Sequence, residues 1–128
     1  VFLERKAGFK TLYTKLSLVK RWTMKHDKNE ILQFLKTLKP NIMAQGIISL
    51  GLFGSVAKDT NSDDSDIDIV YETSDTFINK YRGWSAFTYL NTHIRDKVAK
   101  KFNTQVDMFD LNSSSSLKEK IQNEALYV

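Results

Sequence analysis

Residues 51–70 read GLFGSVAKDTNSDDSDIDIV. Five carboxylates, Asp59, Asp63, Asp64, Asp66 and Asp68, fall within ten positions of this stretch. They lie between two short apolar runs, residues 47–53 and 67–71. Both runs have strand length, and the second is rich in β-branched residues. A turn joins them, beginning at Gly54-Ser55, where glycine allows a sharp change of direction and close approach of a ligand. A chain that concentrates negative charge where strands meet a turn predicts that something positive is bound there.

Working outward, the periodicity predicts a small α/β (α+β) domain. Phe9, Leu12, Tyr13, Leu16, Val19 and Trp22 follow helical spacing with lysines between them. Ile31, Phe34, Leu35 and Leu38 repeat that spacing, and Pro40 is expected to end the helix. Residues 77–102 read as mostly helical, with a break near Arg82-Gly83 and a stripe of Phe87, Leu90, Ile94 and Val98. Residues 105–111 form a third short strand, and residues 117–126 a closing helix. Alternating strands and helices predict a small mixed sheet flanked by helices.

Composition narrows the function classes. The chain has 128 residues, 41% hydrophobic and 12% aromatic, enough for one folded core. It has no cysteine, which excludes disulfides and thiolate metal sites. No run reaches the ~20 apolar residues of a membrane span, and no secretory pattern opens the chain. A soluble cytoplasmic protein is the expectation. Of the net charge of +4, residues 1–30 carry eight Lys/Arg against three Asp/Glu. The remainder carries eleven against twelve. A nucleic-acid-binding arm is one reading of that excess, and a solvated helix face is the plainer one. Nucleic acid is not the expected partner.

Asp66 and Asp68 stand two apart on a strand, so they share one face about 6.6 Å apart, while Ile67 and Ile69 point to the other. Like charges so placed raise a pKa unless a cation lies between them. A hard ion such as Mg²⁺ resolves the repulsion, because it takes carboxylate and phosphate oxygens together. In residues 105–110, Asp107 and Phe109 share a face and Val106 and Met108 the other. If that strand lies beside Asp66/Asp68, Asp107 joins them. Three carboxylates on adjacent strands can hold two metal ions for phosphoryl transfer. Asp110 is the weaker candidate. Gly54 and Ser55 open a turn suited to phosphate, and Lys58 adds a point charge to it. A calcium loop over residues 59–70 fails, because Asp64 stands where glycine is needed and Val70 where a bidentate Glu is needed. Asp59, Asp63 and Asp64 are expected to solvate the loop, and Ser65 to shape the turn before Asp66. His26, His93, Trp22, Trp84 and Phe87 are read as packing or interface residues.

The pattern Gly54-Ser55-x-Ala57-Lys58-x6-Ser65-Asp66-x-Asp68 resembles the G-S-x-A-R-G-x5-S-D-x-D signature of the DNA polymerase beta-like nucleotidyltransferase superfamily. It is most similar to the minimal, MNT-type members. The resemblance covers residues 29–128 and includes Leu50-Gly51-Leu52-Phe53, Val106-Asp107 and the closing Ile121-x-x-Glu124-Ala125-Leu126-Tyr127-Val128. It implies a nucleotidyltransferase domain over 29–128, preceded by a basic helical extension over 1–28. It implies transfer of a nucleoside monophosphate from an NTP, most simply AMP from ATP, with Asp66 and Asp68 as ligands of two Mg²⁺ ions (Mn²⁺ as the alternative). Asp107 becomes the third acidic residue, and Gly54, Ser55, Lys58 and Ser65 become the nucleotide-binding set. MNT-type proteins pair with HEPN-type toxins as antitoxins, which implies a protein hydroxyl as acceptor. A pseudo-enzyme that masks its partner by contact alone is the alternative. Two positions depart from the signature. Lys58 replaces Arg, losing bidentate phosphate binding, and Asp59 replaces Gly, placing a negative charge near the triphosphate path.

Overall fold

The structure is a computed structural model and describes residues 26–62 and 65–128. The helix expected over residues 9–22 lies outside the described residues. Helix α1, Lys28–Ala44, starts where the Asp27 side chain accepts a hydrogen bond from the Asn29 N–H. Its buried stripe is Ile31, Leu35, Leu38 and Ile42. The helix runs through Pro40 instead of stopping there. Pro40 removes the bond to the carbonyl of Lys36, and both residues lie on the exposed side of the helix. Burial of Ile42, worth about 2 kcal/mol, offsets most of the roughly 3 kcal/mol that an interior proline costs.

Strand β1, Ile47–Phe53, leads into a one-turn helix α2, Gly54–Ala57, and β2 follows at Ile67–Thr73. Helices α3, Asp75–Lys80, and α4, Trp84–Leu90, come next. A π-helical turn, Asn91–Arg95, joins α4 to α5, Asp96–Phe102. Strand β3, Val106–Asp110, helix α6, Lys118–Glu124, and β4, Leu126–Tyr127, complete the chain. The sheet order is β3-β2-β1-β4. β1 is antiparallel to β2 and β4, and β2 is parallel to β3. Parallel neighbours require a long crossover, and α3 to α5 supply it. The expected mixed sheet flanked by helices is the observed fold.

Alternation along the strands divides the sheet into two unlike faces. Leu50, Leu52, Ile67, Ile69 and Val106 enter the main core with the α1 stripe, Phe77, Ile94 and Val98. Val70 faces the other way, into a smaller cluster with Leu111, Ile121, Phe53 and Phe109 under α6. Asp68 has the same parity as Val70, and Asp107 the same as Phe109. Both carboxylates therefore lie on the thinner face.

Two expectations change. The π turn advances the chain by about five residues per bond instead of four, so the core position five before Ile94 is Tyr89, which is buried. Phe87, expected in the stripe, is 54% exposed. The expected closing helix stops at Glu124, and Leu126–Tyr127 add a strand to β1. Two residues are too few to show a period.

The start of α1 is fastened to the loop after α2. Asn61, itself buried, donates from Nδ2 to the His26 carbonyl at 3.2 Å. Lys28 Nζ bonds Asp59 Oδ2 at 2.8 Å. A chain beginning at Met24 retains these ties and is expected to fold with its loop intact. A chain beginning at Glu30 loses His26, Asp27 and Lys28 together, including a helix cap worth about 1 kcal/mol, and is expected to melt several degrees lower. Melting curves of the two truncations decide this. Equal melting temperatures would show that the ties contribute nothing.

Candidate active site

β1 ends at Phe53 in extended backbone, and Gly54 turns to φ +79°. A side chain at this position would collide with Asp68 Oδ2, and its Cβ would lie 3.0 Å from Asp68 Cγ. The Asp68 carboxyl therefore rests against the Cα of Gly54, on the rung where Asp68 pairs with Phe53 across the β1–β2 ladder. On its other side Asp68 pairs with Asp107 across the parallel β2–β3 ladder. Directly opposed positions in a ladder bring side chains close. Burial, the Asp107 charge and the Asp66 charge, in that order, push the Asp68 carboxyl up to about 6.

Asp66 stands just before β2, where the Ile67 N–H bonds the Gln105 carbonyl at 3.0 Å. Ser65 shapes the turn ahead of it: its hydroxyl accepts from the Ser62 N–H at 2.8 Å, and its own N–H bonds the Ser62 carbonyl at 3.2 Å. The structure thus brings Gly54, Asp66, Asp68 and Asp107 to one end of the sheet. Among the described residues, no three carboxylate or imidazole groups converge closely enough to cage a metal ion. The donor chemistry nevertheless suits a hard divalent cation: every candidate ligand is a carboxylate oxygen, and the Asp68 charge is destabilised where it stands.

Lys58 and Asp59 both have partners. Lys58 Nζ lies 3.1 Å from Glu124 Oε1 at the end of α6. Asp59, the other departure from the signature, bonds Lys28. Asp59 sits at φ +60°, a left-handed conformation that favours glycine. That is a physical reason for the signature's glycine here. Asp59→Ala is expected to lower stability by about 1 kcal/mol, with Asp59→Gly close to the parent. Should Gly fall as far as Ala in thermal melts, the ion pair and not the backbone would be the cause.

A cleft of about 450 Å³ borders Asp107, with Arg95, Thr104 and Gln105 on its walls. Larger clefts at Phe34/Phe102 and at Trp84/His93 contain none of the site carboxylates. His26 and His93 pack against Phe102 and Tyr89, as the sequence suggested.

Residues 29–128 match the family model Polymerase beta, Nucleotidyltransferase. The chain belongs to this nucleotidyltransferase family. Its fold is similar to that of a solved minimal nucleotidyltransferase, with a TM-score of 0.59 at 19% identity over 79% of this chain and 95% of that one. It is also similar to a chain in the complex of a tri-AMPylated HEPN toxin with an MNT antitoxin from Shewanella oneidensis. There the TM-score is 0.51 at 20% identity, over 78% of this chain and 70% of that one. At such identities the likeness concerns the fold. A search of curated proteins found no match. Among the described residues no helix is long and apolar enough to cross a membrane.

Lys28 carries no signal of a role in the sequence, and Glu124 appears there only within the closing segment of the resemblance. Their partners lie far away along the chain, and spacing carries no signal of such a contact.

Proposed function

We propose that this nucleotidyltransferase moves AMP from ATP onto a hydroxyl of a partner protein, with two Mg²⁺ ions held by Asp66, Asp68 and Asp107. The observation that carries the reading is the seat of Asp68, pressed against Gly54 and in register with Asp107. This arrangement sets an acid pair beside the turn that Gly54 begins. The bound ions would offset charge on the α-phosphate and on the departing pyrophosphate. Gly54 and Ser55 position the triphosphate, Lys58 adds a cation and Ser65 holds the turn. Asp107 takes the proton of the attacking hydroxyl as its oxygen bonds the α-phosphorus. The bond from that phosphorus to the bridging oxygen breaks, and pyrophosphate leaves. The cleft beside Asp107 gives the acceptor an approach.

The choice of AMP and of a HEPN-type acceptor is supported by the AMPylated toxin in the similar complex. Tyrosine is the proposed acceptor side chain. The test offers the protein Mg²⁺, each labelled NTP and the product of the adjacent gene, and weighs the product by mass spectrometry. An added AMP on that product is expected. Complex formation with no added nucleotide from any NTP would instead favour a protein that neutralises its partner by contact. The present engagement of Lys58 by Glu124 favours that second reading. Absence of any complex would remove the partner assignment.

A further inference from the structure

The contact between Lys58 and Glu124 is set from both backbones. Lys58 closes the α2 turn, its N–H donating to the Gly54 carbonyl at 3.1 Å. Glu124 ends α6, and the β4 strand that follows pairs with Gly51 and Leu52 of β1. The Val128 N–H adds a bond to the Leu50 carbonyl at 2.9 Å. The C-terminal strand is thus stitched to the strand that delivers Gly54. This stitching delivers the Glu124 carboxylate to the turn that Gly54 begins. The two side chains are 47% and 33% exposed, so solvent reaches the pair and its partners can exchange.

We infer that Glu124 sets the affinity of the Gly54–Lys58 turn for a nucleoside triphosphate, by holding Lys58 as its counter-ion. The inference rests on the nucleotide-binding reading of that turn. A lysine is a point charge on a flexible stem, without the planar fork that would serve two oxyanions at once. Phosphate and Glu124 therefore compete for one ammonium. A triphosphate that draws Lys58 away also leaves the Glu124 charge facing a polyanion. Both effects lower affinity, and both vanish when Glu124 loses its charge.

The experiment measures binding of a non-hydrolysable ATP analogue, with Mg²⁺, by calorimetry on the full chain and on Glu124→Gln. Glutamine keeps the shape of the side chain and removes its charge. Binding is expected to tighten roughly three- to tenfold at low ionic strength, and to differ less than about twofold near 1 M salt, where the Debye length is ~3 Å. In a Lys58→Met background the gain from Glu124→Gln is expected to shrink by more than half, as two coupled residues require. Glu124→Ser, which removes the charge without introducing an amide, should move affinity in the same direction. Equal or weaker binding by both Glu124 variants, with the parent binding measurably, overturns the inference and leaves the nucleotide site standing. If the parent and every variant fail to bind the analogue, the turn is not a triphosphate site and the inference falls with it.

Discussion

Gly54→Ala is expected to abolish nucleotide-dependent activity by at least a hundredfold while leaving a folded but weakened domain. Two penalties meet at this position. The backbone sits at φ +79°, which costs a side-chain-bearing residue about 1–2 kcal/mol. The new Cβ also meets the Asp68 carboxyl, so either the turn or the carboxylate must move. A displacement near 1 Å at a reacting centre costs on the order of a hundredfold in rate. Gly83 provides the control. It also has positive φ, at +57°, but a Cβ there meets nothing within 4 Å. Gly83→Ala is therefore expected to lower the melting temperature and leave activity unchanged. Melting curves and NTP turnover on both variants make the comparison. Full activity in Gly54→Ala would show that the contact with Asp68 has no part in the chemistry.

Asp68→Asn is expected to cut transfer about a thousandfold, which is roughly 4 kcal/mol of transition-state stabilisation, and yet to stabilise the metal-free protein at neutral pH. The folded-state pKa is raised to about 6 by burial, then Asp107, then Asp66. Below about pH 4 the carboxyl is protonated in both the folded and unfolded chain and exacts nothing. Between 4 and 6 the unfolded chain releases the proton while the folded chain resists, so stability falls as pH rises. Above 6 the whole cost is present, about 1 kcal/mol once solvent screening of this half-buried group is allowed for. Asparagine carries none of it. Melting with a chelator present should show no difference near pH 4 and a higher melting temperature for Asp68→Asn at pH 7. A variant less stable than the parent at pH 7 would mean that the repulsion is not there.

Both predictions use features that could be read along the chain. The period of two through Asp66, Ile67, Asp68 and Ile69 separates carboxylates from core, because strand geometry leaves no other choice. The same alternation in residues 105–110 placed Asp107 on a face, and the parallel ladder supplied the register that sequence could only suppose. Pro40 misled because the buried Ile42 beyond it offsets most of what the interior proline costs. Phe87 misled because the π turn at Asn91–Arg95 shifts the helical phase, and no composition marks such a turn. The pairs Lys28–Asp59 and Lys58–Glu124 were invisible because ion pairs between distant elements depend on the finished fold. Lys58 was readable as a cation beside a phosphate turn, but not as one already engaged.

The unequal faces of the sheet bear on how such a protein can change over time. Ile67 and Ile69 anchor the thick core, while Asp68, between them, points away from it. On the proposed reading, a substitution at Asp68 or Asp107 that ended catalysis would therefore remove no core contact, and at Asp68 it would relieve a repulsion. Loss of chemistry and loss of folding are separable events in this architecture. If the proposed transfer to a partner holds, one substitution at Asp68 would end the reaction and leave the rest of the surface for that partner unchanged.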